Sequence, residues 1–250
     1  MIIKGKSSEA TAVLSRILGS EDEINAEVEA TRSSSGEDNG KWSDLLKPGI
    51  LVAVLAGCAI AILGQFMGVN AVLYYGPKIF SEAGFDNPMF STVLVGLVNF
   101  ATTVLAVFII DKVGRKQLIY WGVSGMIICL IAIGTYFATG GALGNGFMLA
   151  FFLAYVFCCA ISISAIVFVL LSEMYPNSIR GRAMSLAGFM LWVGTYIVGQ
   201  LTPVLLEWSQ AGTFFIFAVM CVPYMLIMWK VIPETTGKTL EEIEEYWTKR

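Results

Sequence analysis

The sequence contains no histidine and few charged residues. Asp, Glu, Lys and Arg make up 14% of the 250 residues, and 56% of the residues are hydrophobic; soluble domains are about 25% charged. Without histidine, the chain lacks the commonest proton shuttle and metal ligand. The sequence has no nucleophile–base or metal-ligand constellation, so we expect no enzyme, no metal and no cofactor. The net charge of −3, without a basic patch, gives no indication of nucleic-acid binding.

Charged residues are missing from five long stretches of the chain. These uncharged stretches are 49–75, 88–110, 117–171, 183–206 and 209–229. A helix needs about 20 apolar residues to cross the bilayer core. The stretch 117–171 is long enough for two helices, with a glycine-rich turn at 139–146. The sequence therefore predicts an all-α membrane protein with six transmembrane helices, at 49–75, 89–110, 117–138, 147–171, 184–206 and 212–231.

The basic residues predict the orientation of these helices. Of the 16 Lys and Arg residues, all except Lys78 fall on the side of the two termini. The positive-inside rule then places both termini in the cytoplasm, and we expect a multi-pass protein of a cell membrane, such as a bacterial inner membrane. The predicted domains are cytoplasmic helices and a linker over 1–47, a bundle over 48–232 and a cytoplasmic tail over 233–250. The five cysteines lie in the spans, where they favour packing over disulfides.

The first span carries two amides, Gln65 and Asn70, next to Gly64 and Gly68. On an ideal helix the two amides lie roughly 140° apart, so they face one cavity only if the helix is kinked or unwound between them. The span is also too long for a straight helix, so it must tilt, project or break. Polar spans interrupted by glycine are typical of substrate sites in transporters.

Polar side chains in other spans form stripes, and none of them is ionisable. Asn99 shares a face with Thr92 and Thr103, and Trp192 shares one with Thr195. For the Ser and Thr residues we favour hydrogen bonds between helices. For the three amides we favour a substrate site, because Gln and Asn both donate and accept hydrogen bonds and aromatic faces cover sugar rings. This lining suits a neutral molecule rich in hydroxyl groups.

Four motifs then occur in order along the chain. They are QFMGVN at 65–70 followed by two tyrosines, DKVGRK at 111–116, SEMYPNSIRGR at 172–182 and PETTGKT at 233–239. Together they resemble the sugar porter family of the major facilitator superfamily, in particular the C-terminal six-helix half of bacterial xylose and glucose proton symporters and glucose facilitators. The chain departs from the family pattern at Gly64, at Ser164, Ala165 and Phe168 of the fourth span, and at Thr195.

The resemblance implies two sets of functional residues. Gln65, Asn70, Asn99 and Trp192 match positions that contact the sugar, and Tyr74 matches a position near the outer gate. A second set matches a cytoplasmic network of ion pairs that acts as a gate. This set consists of Asp111, Arg115, Lys116, Glu173, Arg180, Arg182 and Glu234.

By the same resemblance, we expect transport of a hexose or pentose by alternating access. Residues 1–6 resemble the segment after the sixth helix of a full-length porter, so we expect a partner that supplies six more helices. That partner is either a separately encoded N-terminal half or a second copy of the chain. The alternative is a truncated porter without transport activity, acting as a membrane scaffold or sugar sensor, or a gene remnant. The sequence leaves the sugar and proton coupling open.

Overall fold

A computed structural model describes residues 41–248 and, before them, residues 11, 13–15, 20, 24, 25 and 28. Its description omits the side chains of Asp111, Leu240, Glu241, Glu244 and Thr248. Residues 11, 13, 14, 24, 25 and 28 are helical, at positions where the sequence predicts two short helices. The segment 33–40, within the cytoplasmic helices and linker predicted over 1–47, lies outside the described residues.

All regular secondary structure in the described residues is helical. A 3-10 helix at Trp42–Leu46 precedes the first long helix, and a π-helical turn at Ala160–Ser164 joins α5 to α6. The α-helices are α1 (Ile50–Phe66), α2 (Val69–Glu82), α3 (Pro88–Val113), α4 (Arg115–Ala138), α5 (Asn145–Cys159), α6 (Ala165–Met174), α7 (Arg180–Trp208), α8 (Gln210–Lys230) and α9 (Leu240–Thr248).

Six segments of the described chain are long and apolar enough to cross a membrane. The first combines α1 and α2, the fourth combines α5 and α6, and the others are single helices. The six predicted spans are therefore confirmed. The first span extends seven residues beyond its predicted end at residue 75 because α2 continues through Pro77 to Glu82.

A polar cap at the start of α3 and a glycine at its end shape two of the turns between the spans. The Asn87 side chain accepts a hydrogen bond from the backbone N–H of Phe90 at 3.0 Å, and Pro88 occupies the first position of α3. Both features are typical of helix starts. Gly114, with a φ of 98°, is the single residue between α3 and α4. Since other residues rarely adopt this φ, glycine permits an immediate chain reversal there.

The helices pack unequally. α4 packs against α5 and α8, and α1 packs against α7 and α8, around a core of aliphatic and aromatic side chains. The spans formed by α3 and α7 are the least buried, at 17% and 28% of their apolar windows, against 39–50% for the other four. These two helices therefore present the broadest open faces of the bundle.

The two ends of the bundle differ in charge. At one end, which we call the basic end, the start of α4 meets the end of α6 and the segment after α8, through Arg115, Glu173 and Thr236. Helix α9 packs against α6 and α1, and buries Ile243 and Trp247. At the opposite end, Lys78 lies 3.8 Å from carboxylate oxygens of both Glu82 and Glu207.

Candidate functional site

The first span is broken in the middle. Helix α1 ends at Phe66, Gly68 adopts a left-handed φ of 89°, and α2 begins at Val69. An ideal Cβ atom at Gly68 would lie 2.5 Å from Cδ2 of Phe217. Glycine therefore meets two requirements at this position, the left-handed backbone and the close approach of an aromatic ring. The sequence predicted that this long span must tilt, project from the membrane or break, and in the structure it breaks.

A buried tyrosine stabilises the break. A helix interruption leaves backbone groups without their usual partners, and inside a bilayer such groups need a protein partner. The Tyr155 hydroxyl, on α5, donates a hydrogen bond of 2.8 Å to the backbone carbonyl of Met67. Tyr155 is 1% exposed. The sequence did not indicate this contact, since Tyr155 and Met67 are 88 residues apart in the chain.

Across the break, three polar side chains form a hydrogen-bonded group that we call the amide cluster: Gln65, Asn70 and Thr195. Asn70 Nδ2 lies 2.7 Å from Gln65 Oε1 and 3.4 Å from Thr195 Oγ1. Thr195 Oγ1 donates to Gln65 Oε1 at 3.2 Å. The break thus brings together two amides that a continuous helix would hold roughly 140° apart. The sequence predicted that the two amides would face one cavity only with such an interruption.

Asn99 lies apart from the amide cluster. It lines a cavity of about 110 Å³ between α2, α3 and the fourth span. The other lining residues are Val69, Val72, Leu73, Thr103, Tyr155, Val156, Cys159 and Ser164. Within the described residues, no hydrogen bond joins Asn99 to Gln65 or Asn70. The predicted site residues of the first and second spans therefore occupy neighbouring regions on different sides of α2.

The predicted aromatic residues of the site lie on open surfaces. Trp192 is 67% exposed on α7, one turn before Thr195, and Tyr74 is 57% exposed on α2. Helices α2 and α7 are joined nearby, where the Tyr75 hydroxyl donates a hydrogen bond of 2.8 Å to the Gly199 carbonyl. A ligand over the amide cluster would therefore meet Trp192 at an uncovered edge of the bundle.

The π-helical turn marks a position that the sequence did not assign to the site. Such turns are rare and occur frequently at functional sites. Ser164, its last residue, is exposed, lines the Asn99 cavity and lies 3.4 Å from the Cys159 sulfur. The available signal was the departure from the family pattern, because Ser164 stands where the resemblance expects a glycine.

At the basic end, the described residues of the predicted network include an ion pair between Arg115 and Glu173, surrounded by hydrogen bonds. Arg115 Nη2 lies 2.9 Å from Glu173 Oε1, and the two side chains are largely buried. The Thr235 hydroxyl donates to the other oxygen of Glu173, and Arg115 also donates to the Thr236 hydroxyl. The two threonines connect α4, α6 and the segment after α8. They belong to the motif PETTGKT, but the sequence prediction included only Glu234 from it.

Three of the other predicted basic-end residues, Lys116, Arg180 and Glu234, contact backbone groups. Glu234 accepts hydrogen bonds from the backbone N–H groups of the next two residues. Lys116 donates to the Ile232 carbonyl at 2.8 Å, and Arg180 donates to the Tyr175 carbonyl at 3.3 Å. Arg182 is half-buried at the start of α7. The side chain of Asp111 is outside the described part of the structure.

Tyr175 fixes the loop before α7 to the first span. Its ring is buried, and the burial raises the pKa of its hydroxyl above the ordinary range. The hydroxyl lies so close to Gly57 that a methyl group at this position would overlap it. The tyrosine therefore stays neutral at physiological pH and depends on a glycine of α1 for its space.

These features define an all-helical, multi-pass membrane protein with a broken first span and an uncharged polar cluster at the break. Residues 1–247 match the model of the family described as "Sugar (and other) transporter". The chain belongs to this sugar transporter family, as its motifs predicted.

Two relatives show the extent of the similarity. The chain is 39% identical to the arabinose-proton symporter of Bacillus subtilis (strain 168), over 98% of this chain and 53% of the relative. It is 36% identical to the D-xylose-proton symporter of Escherichia coli (strain K12), over 99% of this chain and 51% of the relative. The chain thus spans about half the length of the curated relatives that it matches.

Solved structures agree with this family. The chain superimposes on the major facilitator superfamily proton:xylose symporter XylE bound to 6-bromo-6-deoxy-D-glucose with a TM-score of 0.82 and 34% identity. For a double Trp mutant of XylE, the TM-score is 0.84 and the identity 33%. In both cases the match covers 98% of this chain and 53% of the solved chain. The six-helix fold is therefore that of half of a major facilitator transporter.

Proposed function

We propose that this chain forms one half of a sugar transporter that moves a hexose or pentose by alternating access. The observation that carries the proposal is the amide cluster at the break of the first span. Support comes from the family and from relatives named as arabinose-proton and D-xylose-proton symporters.

The chemistry of the amide cluster suits a neutral sugar. Gln65 and Asn70 are half-buried, and each carboxamide has both donors and acceptors. Within the described part of the chain, the hydrogen-bond partners of these two amides are uncharged. An anionic or cationic substrate would leave its charge poorly compensated at such a site. The exposed ring of Trp192 offers a face for the C–H groups of a pyranose ring.

A second set of six helices completes the pathway in this proposal. The broad open faces belong to α3 and α7, and α7 carries both Thr195 and the exposed Trp192. A sugar at this edge would be covered only on one side by the chain described here. The second half belongs to the same polypeptide, to a separate polypeptide or to a second copy of this chain.

The basic end acts as a cytoplasmic gate in this proposal. The Arg115–Glu173 pair and the two threonines connect three parts of the bundle at the end predicted to face the cytoplasm. Such contacts favour a closed arrangement of these helix ends. Opening of the pathway on this side would require some of them to separate, so their strength would set the balance between the two states.

Equilibrium binding of D-xylose and D-glucose to the purified, assembled transporter tests the site. Asn70→Ala should weaken binding about 5- to 150-fold, because an unpaired polar partner costs roughly 1–3 kcal/mol. Gln65→Ala should act in the same direction. Gln117→Ala, an exposed amide at the basic end, is the matched control and should leave the affinity unchanged. Unchanged affinity in both site variants would remove the amide cluster from the substrate site.

Uptake into proteoliposomes distinguishes transport from the scaffold or sensor alternative. The chain reconstituted with a matching N-terminal half should take up sugar, and the chain alone should not. Sugar binding by the assembled pair without uptake would favour the sensor. Uptake by the chain alone would favour a homodimer.

A further inference from the structure

We propose that Thr195 is a positioning residue, whose hydroxyl fixes the orientation of the Gln65 and Asn70 side-chain amides and thereby decides which of their atoms face the sugar. The inference rests on the proposed function of the amide cluster. Thr195 itself is 7% exposed, so its role is to hold the neighbouring amides rather than to contact the ligand.

The geometry around Gln65 Oε1 carries the inference. A carboxamide can turn over and exchange its oxygen with its nitrogen, which reverses donor and acceptor. Gln65 Oε1 has two donors, Asn70 Nδ2 at 2.7 Å and Thr195 Oγ1 at 3.2 Å. With the amide turned over, Gln65 Nε2 would face the Asn70 amide donor. In the orientation that the structure has, the Gln65 oxygen faces both donors, and this is the orientation in which the Thr195 hydroxyl donates to Gln65.

Thr195 is itself held in place. Its hydroxyl oxygen also lies 3.0 Å from the Leu191 carbonyl, one turn earlier on α7, so its proton is directed between two acceptors. The preceding residue, Gly194, allows α7 to approach α1 closely. An ideal Cβ at Gly194 would lie 3.1 Å from the Ile62 carbonyl oxygen and 3.2 Å from Gln65 Cβ. The close contact of the two helices brings the Thr195 hydroxyl within reach of Gln65.

A specific pattern of free groups follows from this arrangement. Gln65 Oε1 already accepts hydrogen bonds from Asn70 and Thr195. The described residues provide no hydrogen-bond partner for Gln65 Nε2 or Asn70 Oδ1. The cluster therefore offers donors from Gln65 and an acceptor from Asn70. A sugar hydroxyl bound at Gln65 must accept a hydrogen bond, whereas a hydroxyl bound at Asn70 must donate one. The site thus selects ligands with two hydroxyl groups in opposite roles.

The substitution Thr195→Val tests the role of the hydroxyl with little change in shape. Valine is also well tolerated in lipid, so insertion should be unaffected. The assembled transporter with valine should bind D-xylose about 2- to 10-fold more weakly, the effect of losing one net hydrogen bond. Thr195→Ser keeps the hydroxyl and should bind within about twofold of the wild type, since the hydrogen bond is retained.

A series of monodeoxy and monofluoro sugars separates positioning from a structural role. Fluorine accepts a hydrogen bond weakly but cannot donate one. In the wild type, fluorine should retain more affinity than hydrogen at the hydroxyl that binds Gln65, and should give no advantage at the hydroxyl that binds Asn70. Thr195→Val should remove this difference, and Thr195→Ser should restore it.

Three outcomes are informative. Wild-type affinity and wild-type analogue preference in Thr195→Val would overturn the inference. An equal loss for every analogue, or the same loss in Thr195→Ser, would assign Thr195 a purely structural role and would also overturn it. Failure of the wild-type assembly to bind any sugar would instead refute the proposed function.

Discussion

Replacing Gly68 with alanine should destabilise the protein by about 2–5 kcal/mol. Two features of the break contribute. The φ of 89° lies in the left-handed region, where a Cβ atom costs roughly 1–2 kcal/mol. The new Cβ would also lie 2.5 Å from Cδ2 of Phe217, so this ring must move, and overpacking of this kind typically costs about 1–3 kcal/mol.

The same substitution should weaken sugar binding. If alanine draws the segment toward a continuous helix, Asn70 rotates away from Gln65, and the 2.7 Å hydrogen bond between them is lost. We expect a loss of affinity similar to that of Asn70→Ala, about 5- to 150-fold. A variant that changed only the stability, with normal affinity, would mean that the geometry of the amide cluster does not depend on Gly68.

Thermal unfolding in detergent and equilibrium sugar binding measure the two effects. Gly96→Ala is the matched control, because Gly96 lies in the middle of α3 and has no atom within 4 Å of its ideal Cβ. This control should leave the sugar affinity unchanged and should not lower the melting temperature, because alanine favours a helix over glycine by roughly 1 kcal/mol. The additional substitution Phe217→Ala should relieve the overlap but not the backbone strain. Gly68→Ala with wild-type melting temperature and affinity would refute the reasoning.

Two further substitutions test the supports of the site and the gate. Tyr155→Phe leaves the Met67 carbonyl without its hydrogen bond, and should lower the free energy of unfolding by about 1–3 kcal/mol, measured by chemical denaturation. The effect should be absent for Tyr74→Phe, whose hydroxyl is on an exposed residue. Arg115→Ala removes the ion-pair partner of Glu173 and should slow uptake. The sugar affinity should stay within about threefold of the wild type, a change of roughly 0.6 kcal/mol, because Arg115 lies at the basic end and not in the amide cluster. Equal losses of uptake and binding would indicate misfolding instead of a gating defect.

The sequence alone determined the class, the number of spans and the family. Long uncharged, apolar stretches such as 117–171 are typical of membrane-spanning helices. Because about 20 apolar residues cross the bilayer core, the lengths of these stretches and the turn at 139–146 predicted the number of spans. The length of the first span and the presence of Gly68 indicated that this span must tilt, project or break. Short helices outside the membrane spans were predicted less completely. The tail after residue 233 contains the unpredicted helix α9, although Ile243 and Trp247 have helical spacing.

Only the tertiary structure decided which polar groups meet. Thr195 follows Gln65 by 130 residues and Tyr155 follows Met67 by 88, and no local pattern specifies contacts at such separations. The contacts arise from the packing of α7 against α1, which a single glycine at 194 makes close, and from the position of α5 beside the break. The placement of Asn99 beside a separate cavity has the same origin. A stripe of polar residues shows that one face of a helix needs partners, but the neighbouring helices determine which partners it finds.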